Sequence, residues 1–139
     1  MMDTPSKRVR LAAAGNHLSG LSRSFELTDR DGRLIGPART RALYRLYARG
    51  GGPFPKPGVV EVGEGRGAAL EVELWDLPET AIAELATLTV PPVSMGQVVL
   101  ESGEAVHGYL CDPAGLGDAR DVTAFGGWRA FLAMSAAKP

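Results

Sequence analysis

The stretch Ala69-Leu70-Glu71-Val72-Glu73-Leu74-Trp75-Asp76-Leu77-Pro78 decides the fold class. Leu70, Val72 and Leu74 recur at every second position, with Glu71, Glu73 and Trp75 between them. That is the period of a β-strand, not of a helix. Pro78 cannot continue a strand ladder and stands just before a helical pattern. In that pattern Ile82, Leu85, Ala86 and Leu88 supply an apolar stripe, and Pro91-Pro92 stops it.

Working outward, the chain holds more strands than helices. Val9 to Ala14 is an apolar run ended by Gly15. Ser24 to Thr28 alternates, Arg33-Leu34-Ile35 follows, and the Asp31-Gly32 pair between them favours a tight hairpin. Ala42 to Ala48 carries aromatic residues of high strand propensity, and Gly50-Gly51-Gly52-Pro53 breaks it ahead of a strand at Val59 to Val62. Gln97 to Glu101 and Ala105 to Cys111 flank a second hairpin at Ser102-Gly103. The tail from Gly126 to Met134 forms a closing helix with Trp128, Phe131 and Leu132 on its apolar side. These elements predict an α+β domain: a curved mixed β-sheet or small β-barrel with a few short helices at its edge.

Bulk properties narrow the function classes. Fifteen basic and sixteen acidic side chains in 139 residues leave a net charge of −1. No basic stripe advertises nucleic acid, and no run approaches the roughly 20 apolar residues that span a bilayer. Cys111 is the one cysteine, which excludes an internal disulfide or a thiolate metal cluster and fits a reducing, cytoplasmic setting. Residues 1–8 read as a flexible polar lead and 9–139 as one domain.

Several blocks, taken together, resemble the C-terminal domain of allophanate hydrolase. They are Gly15-Asn16-His17-Leu18-Ser19-Gly20-Leu21, Tyr44-Arg45-Leu46-Tyr47-Ala48, Pro57-Gly58-Val59-Val60, Glu71 to Pro78, Gly108-Tyr109-Leu110-Cys111, and Asp121-Val122-Thr123-Ala124-Phe125-Gly126-Gly127-Trp128-Arg129. Each is weak alone; their order is specific, and the last run is the strongest. The resemblance extends to the γ-glutamylcyclotransferase-like fold. Gly15-Asn16-His17-Leu18 takes the place of that group's substrate-binding turn, with Ala14 where a tyrosine would stand. Glu73 takes the place of its acid/base carboxylate. A shared scaffold does not by itself carry the reaction.

What the resemblance implies is a part in allophanate breakdown. In allophanate hydrolase an amidase domain removes ammonia and leaves N-carboxycarbamate, which the C-terminal domain helps convert to carbon dioxide and ammonia. No amidase constellation occurs in this chain, so it is either a free-standing version of the domain or a piece of a longer protein; the Met1-Met2 start and polar lead favour the first. A small anionic substrate, a separate amidase subunit and a second copy of the chain are the partners to expect. No cofactor or metal is implied.

The candidate site follows from the substrate. N-Carboxycarbamate is a dianion whose C–N cleavage needs a proton on nitrogen and donors that hold two carboxylates. His17, with an ordinary pKa of about 6.5, is the proton donor to expect. Glu73 is the second catalytic candidate, its carboxylate orienting the imidazole. Gly15, Asn16 and Leu18 would present backbone N–H groups to a carboxylate. Arg45 and Arg129 are candidate clamps, because guanidinium meets carboxylate through two hydrogen bonds. Tyr44 and Tyr47, three apart, fall on opposite strand faces, so at most one lines a cavity. Trp75 and Trp128 read as core, Asp121 as a cap, and His107 and Cys111 as structural. Two other functions compete: a cyclotransferase for γ-glutamyl amines using Glu73, and a non-catalytic assembly or specificity module for a separate amidase.

Overall fold

A computed structural model describes residues 7–50 and 54–137. The elements in order are β1 (Arg8–Ala13), α1 (Phe25–Thr28), β2 (Arg33–Arg39), β3 (Tyr44–Arg49), β4 (Lys56–Glu61), β5 (Glu71–Pro78), α2 (Glu79–Thr87), β6 (Val93–Val99), β7 (Ala105–Cys111), β8 (Arg120–Asp121) and α3 (Trp128–Ala137). A five-stranded sheet runs β2-β5-β1-β7-β6 and a three-stranded one β4-β3-β8. The large sheet is mixed: β1 pairs parallel with β7, while β1–β5, β2–β5 and β6–β7 are antiparallel. It is an open curved sheet, so the barrel alternative falls away. Its two edges meet at one corner, where the residues after β2 and β6 form the bridge Thr40–Leu100.

The alternating stretch at Glu71 is β5, and it lies inside the sheet between β1 and β2. Val72 and Leu74 are buried as the alternation requires, and Leu77 is buried on the opposite face. Trp75 is buried too, so the second half of the strand is covered on both faces. α2 follows directly after Pro78 and buries Ala81 and Leu85, while Leu88 lies beyond its end and is 43% exposed.

Ser24 to Thr28 departs from the sequence expectation: it forms the short helix α1 with turns on either side, not a strand. Glu26 and Leu27 are adjacent and both buried, and the Asp29 N–H donates to the Phe25 carbonyl at 2.8 Å, the i to i−4 bond of a helix. Asp31-Gly32 therefore closes no hairpin. The Gly32 N–H donates to the Leu27 carbonyl at 2.8 Å, ending α1, and the Asp31 carboxylate binds Arg8. Arg8, placed in the flexible lead by the sequence, opens β1 and also binds the Asp76 carboxylate. Residues 1–6 of that lead and the Gly51-Gly52-Pro53 part of the predicted break lie outside the described residues.

Polar side chains inside the core bind the sheets together. The Val99 N–H donates to the hydroxyl of fully buried Tyr44, joining β3 of the small sheet to β6 of the large one. Tyr44 is thus a core strut. Buried Thr40 accepts from the Leu70 N–H at 2.9 Å and donates to the Arg41 carbonyl at 2.8 Å. Thr40→Val keeps the shape and leaves that N–H unpaired, which costs about 1–3 kcal/mol. A lower urea midpoint at unchanged slope is the expected result.

The Asp121-to-Arg129 run is the other fastener. Asp121 accepts from Arg45 at 2.6 Å and caps the Thr123 N–H at 2.9 Å, the capping role expected of it. Thr123 accepts from the Leu46 N–H, and the Gly126 carbonyl from the Glu71 N–H. Gly126 takes a left-handed φ of 85°, which favours glycine, and the chain turns there into α3.

Candidate functional site

The segment between β1 and α1 winds through successive turns. Leu18 N–H donates to the Gly15 carbonyl, Leu21 N–H to Leu18 and Arg23 N–H to Asn16. This winding brings His17 beside Glu26. The His17 Nε2 lies 2.7 Å from Glu26 Oε1, while Arg23 donates to the other carboxylate oxygen at 2.9 Å. The imidazole stacks on the Tyr109 ring from β7, with centroids 4.3 Å apart and planes 8° from parallel. A carboxylate accepts only, so the neutral imidazole carries its proton on Nε2 and leaves Nδ1 basic.

His17, Glu26 and Tyr109 lie along a cavity of about 580 Å³. Asn16 lines it as well. Its Oδ1 accepts from the indole N–H of Trp128 at 2.9 Å, and since indole only donates, the Asn16 NH2 group is left for a ligand. Arg23, Arg49 and Lys56 bring positive charge to the same wall. Arg49 donates from Nε and Nη2 to the Pro57 carbonyl, both at 3.3 Å.

Gly15 is glycine for packing. A Cβ there would stand 2.5 Å from Pro57 Cγ, so the end of β1 and the start of β4 can approach only without it. The Leu18 N–H, expected to bind a carboxylate, is already donated to Gly15 and its side chain is buried.

Glu73 does not orient His17. Its carboxylate accepts from the Ser19 N–H at 2.6 Å and the Ser19 hydroxyl at 2.9 Å, with Arg129 at 3.3 Å. It lies on a second cavity with Arg129, Leu18 and Trp128. Arg129 also donates to the Ser19 carbonyl, and Arg45 binds Asp121 and the Arg66 carbonyl. Both predicted clamps hold carboxylates, but those of this chain, and neither lines the His17 cavity. Among the described residues, no group of His, Cys, Asp and Glu could hold a metal ion.

The groups that sequence reasoning missed are Glu26, Tyr109, Arg23, Arg49 and Lys56. Glu26 was hidden by the strand reading of Ser24 to Thr28. Ser24 stands directly before Phe25-Glu26 but makes no capping hydrogen bond, its hydroxyl donating back to the Leu21 carbonyl, so no clear helix-start signal marks α1.

Burial holds the His17 pKa below its ordinary 6.5, and the Glu26 hydrogen bond opposes burial without overcoming it. As pH falls below 6.5 the unfolded chain takes up the proton before the folded one. Stability is therefore intact above that pH and declines until the folded imidazole also protonates. A series of urea midpoints is expected to fall from about pH 7.5 toward about pH 5, with a shallower slope in His17→Gln.

The open mixed sheet with few helices places the chain among γ-glutamylcyclotransferase-like folds. A solved gamma-glutamyl cyclotransferase shares that fold at a TM-score of 0.53 and 12% identity, covering 83% of this chain and 70% of that one. Residues 9–133 match the family described as the allophanate hydrolase C-terminal domain, and the chain belongs to that family. The urea amidolyase of Lachancea kluyveri is 33% identical over 132 residues, which are 93% of this chain and 7% of that protein. The structure of Kluyveromyces lactis allophanate hydrolase superposes with a TM-score of 0.85 at 30% identity, over 93% of this chain and 22% of that one. A uropathogenic E. coli-specific protein superposes at 0.82 with 28% identity, over 91% of this chain and 97% of that one. This chain thus spans a small fraction of the large enzymes it is similar to, and nearly all of the E. coli protein. Among the described residues no helix is long and apolar enough to cross a membrane.

Proposed function

We propose that this chain promotes C–N cleavage in N-carboxycarbamate, or in a close dicarboxylated amine, downstream of an amidase. The observation that carries this reading is the His17–Glu26 pair, 2.7 Å apart, on a cavity that also bears Arg23, Arg49 and Lys56. The cations and the Asn16 amide hold the two carboxylates. Glu26 fixes the ring and stabilises the imidazolium, and the other ring nitrogen then carries the proton to be transferred. As the C–N bond breaks, its electron pair stays on nitrogen and takes that proton, and the departing carboxylate leaves as carbon dioxide. The product is carbamate, which yields ammonia and a second carbon dioxide after one more proton.

His17 is neutral near pH 7 because burial disfavours its charge. A bound dianion reverses that balance, so the site draws a proton from solvent as it fills. Malonate carries the same pair of carboxylates on a stable carbon. Its calorimetric titration near pH 7.5, in two buffers of different ionisation enthalpy, is expected to show proton uptake approaching one per site. Binding without uptake would contradict the role given to His17. The cyclotransferase reading is weakened by the three hydrogen bonds that already occupy Glu73.

A further inference from the structure

The cavity is larger than the dianion needs. Pockets of roughly 300–1,000 Å³ enclose drug-sized ligands, and this one holds about 580 Å³. Its polar and charged groups include His17, Glu26, Arg23, Asn16, Arg49 and Lys56, and α2, the segment after it and α3 add apolar side chains to its lining. Leu85 of α2 lies buried in that lining and Leu132 of α3 is half-buried beside the core. At the rim Leu88, Val90 and Phe54 are 43%, 73% and 86% exposed. These residues come from α2, the segment after it, α3 and the β3–β4 connection. The apolar surface is therefore assembled by the fold instead of being the outer face of one helix. Clustered exposed apolar side chains of this kind mark a binding surface.

We infer that the ligand is a dicarboxylated amine bearing an aliphatic or aromatic substituent on nitrogen, with the dianionic head at His17 and the substituent along Leu85, Leu88 and Val90 toward Phe54. This rests on the proposed function and specifies its substrate class. The chemistry balances as before: R–N(COO⁻)2 and one proton give R–NH–COO⁻ and carbon dioxide, with the C–N electron pair kept on nitrogen. The carbamate then takes a second proton and releases carbon dioxide and the amine R–NH2. Thr89 and Lys56 line the cavity between and beside these residues, and the apolar contact comes from Leu85, Leu88, Val90 and Phe54.

The test compares malonate, n-butylmalonate and benzylmalonate by calorimetry on the full chain. With about 0.8 kcal/mol per buried methylene, the substituted dianions are expected to bind at least about tenfold tighter than malonate. In a Phe54→Ser/Val90→Asn double variant, which keeps Leu85 and Leu88, that ratio should fall by at least about threefold. Both positions are exposed, so the variant keeps its core. Equal affinities of the three dianions for the native chain would overturn the inference and leave the head site standing. Failure of all three to bind would remove the proposed function and the inference together. A dimer in ultracentrifugation that the double variant dissociates would give the apolar rim to a second copy, and would also overturn it.

Discussion

His17→Ala is expected to slow carbon dioxide release from amidase-generated N-carboxycarbamate by about 10²–10⁴-fold, the usual worth of one positioned general acid. The fold should survive, because the side chain is held at a cavity wall by Glu26 and Tyr109 and not inside the apolar core. Circular dichroism and urea midpoints check that point. Glu26→Gln is the informative companion, since it keeps the shape and removes the charge that stabilises the imidazolium. Its rate should fall by a smaller factor, with the pH profile displaced to lower pH. Glu73→Gln should act mainly on stability, through the Ser19 and Arg129 contacts. A Glu73→Gln chain that folds normally and loses as much activity as His17→Ala would refute the division of labour between the two carboxylates.

Trp128→Ala is expected to cost about 3–5 kcal/mol of stability, the range for emptying a large buried aromatic site. Trp128 is fully buried, packs on Phe131 with ring centroids 5.2 Å apart, and donates to Asn16. Its removal therefore opens a cavity and also frees the turn that carries His17. Trp128→Phe separates the two effects. Phenylalanine retains most of the apolar contact but cannot donate to Asn16, so stability should largely return while malonate affinity stays reduced. Full recovery of both would show that the indole hydrogen bond does not position the site. A loss under about 1 kcal/mol in the alanine variant would contradict the packing account.

Much of the fold was legible because the pattern and the burial coincide. β5, the hairpin between β6 and β7, and α2 each announce themselves by a period and a stop signal. Trp128 was legible as core for the same reason. α1 was not, since four residues hold too little of a helical period to compete with a short alternation. The site was legible only in part, because it depends on pairings distant in sequence. His17 could be singled out as a titratable group in a strand-exit turn. Its carboxylate could not, because Glu73 and Glu26 differ only in where the fold carries them. Arg45 and Arg129 illustrate the same gap: sequence identifies a carboxylate binder, and only the structure says that the carboxylates are Asp121 and Glu73.

The central claim is that the His17 cavity accelerates decomposition of a dicarboxylated amine. The direct measurement is the rate of carbon dioxide release when this chain is added to an allophanate-hydrolysing amidase that lacks its own C-terminal domain. The account predicts a rate above the spontaneous background that rises with added chain and is lost in His17→Ala. Release that stays at background, however much folded chain is present, would contradict it.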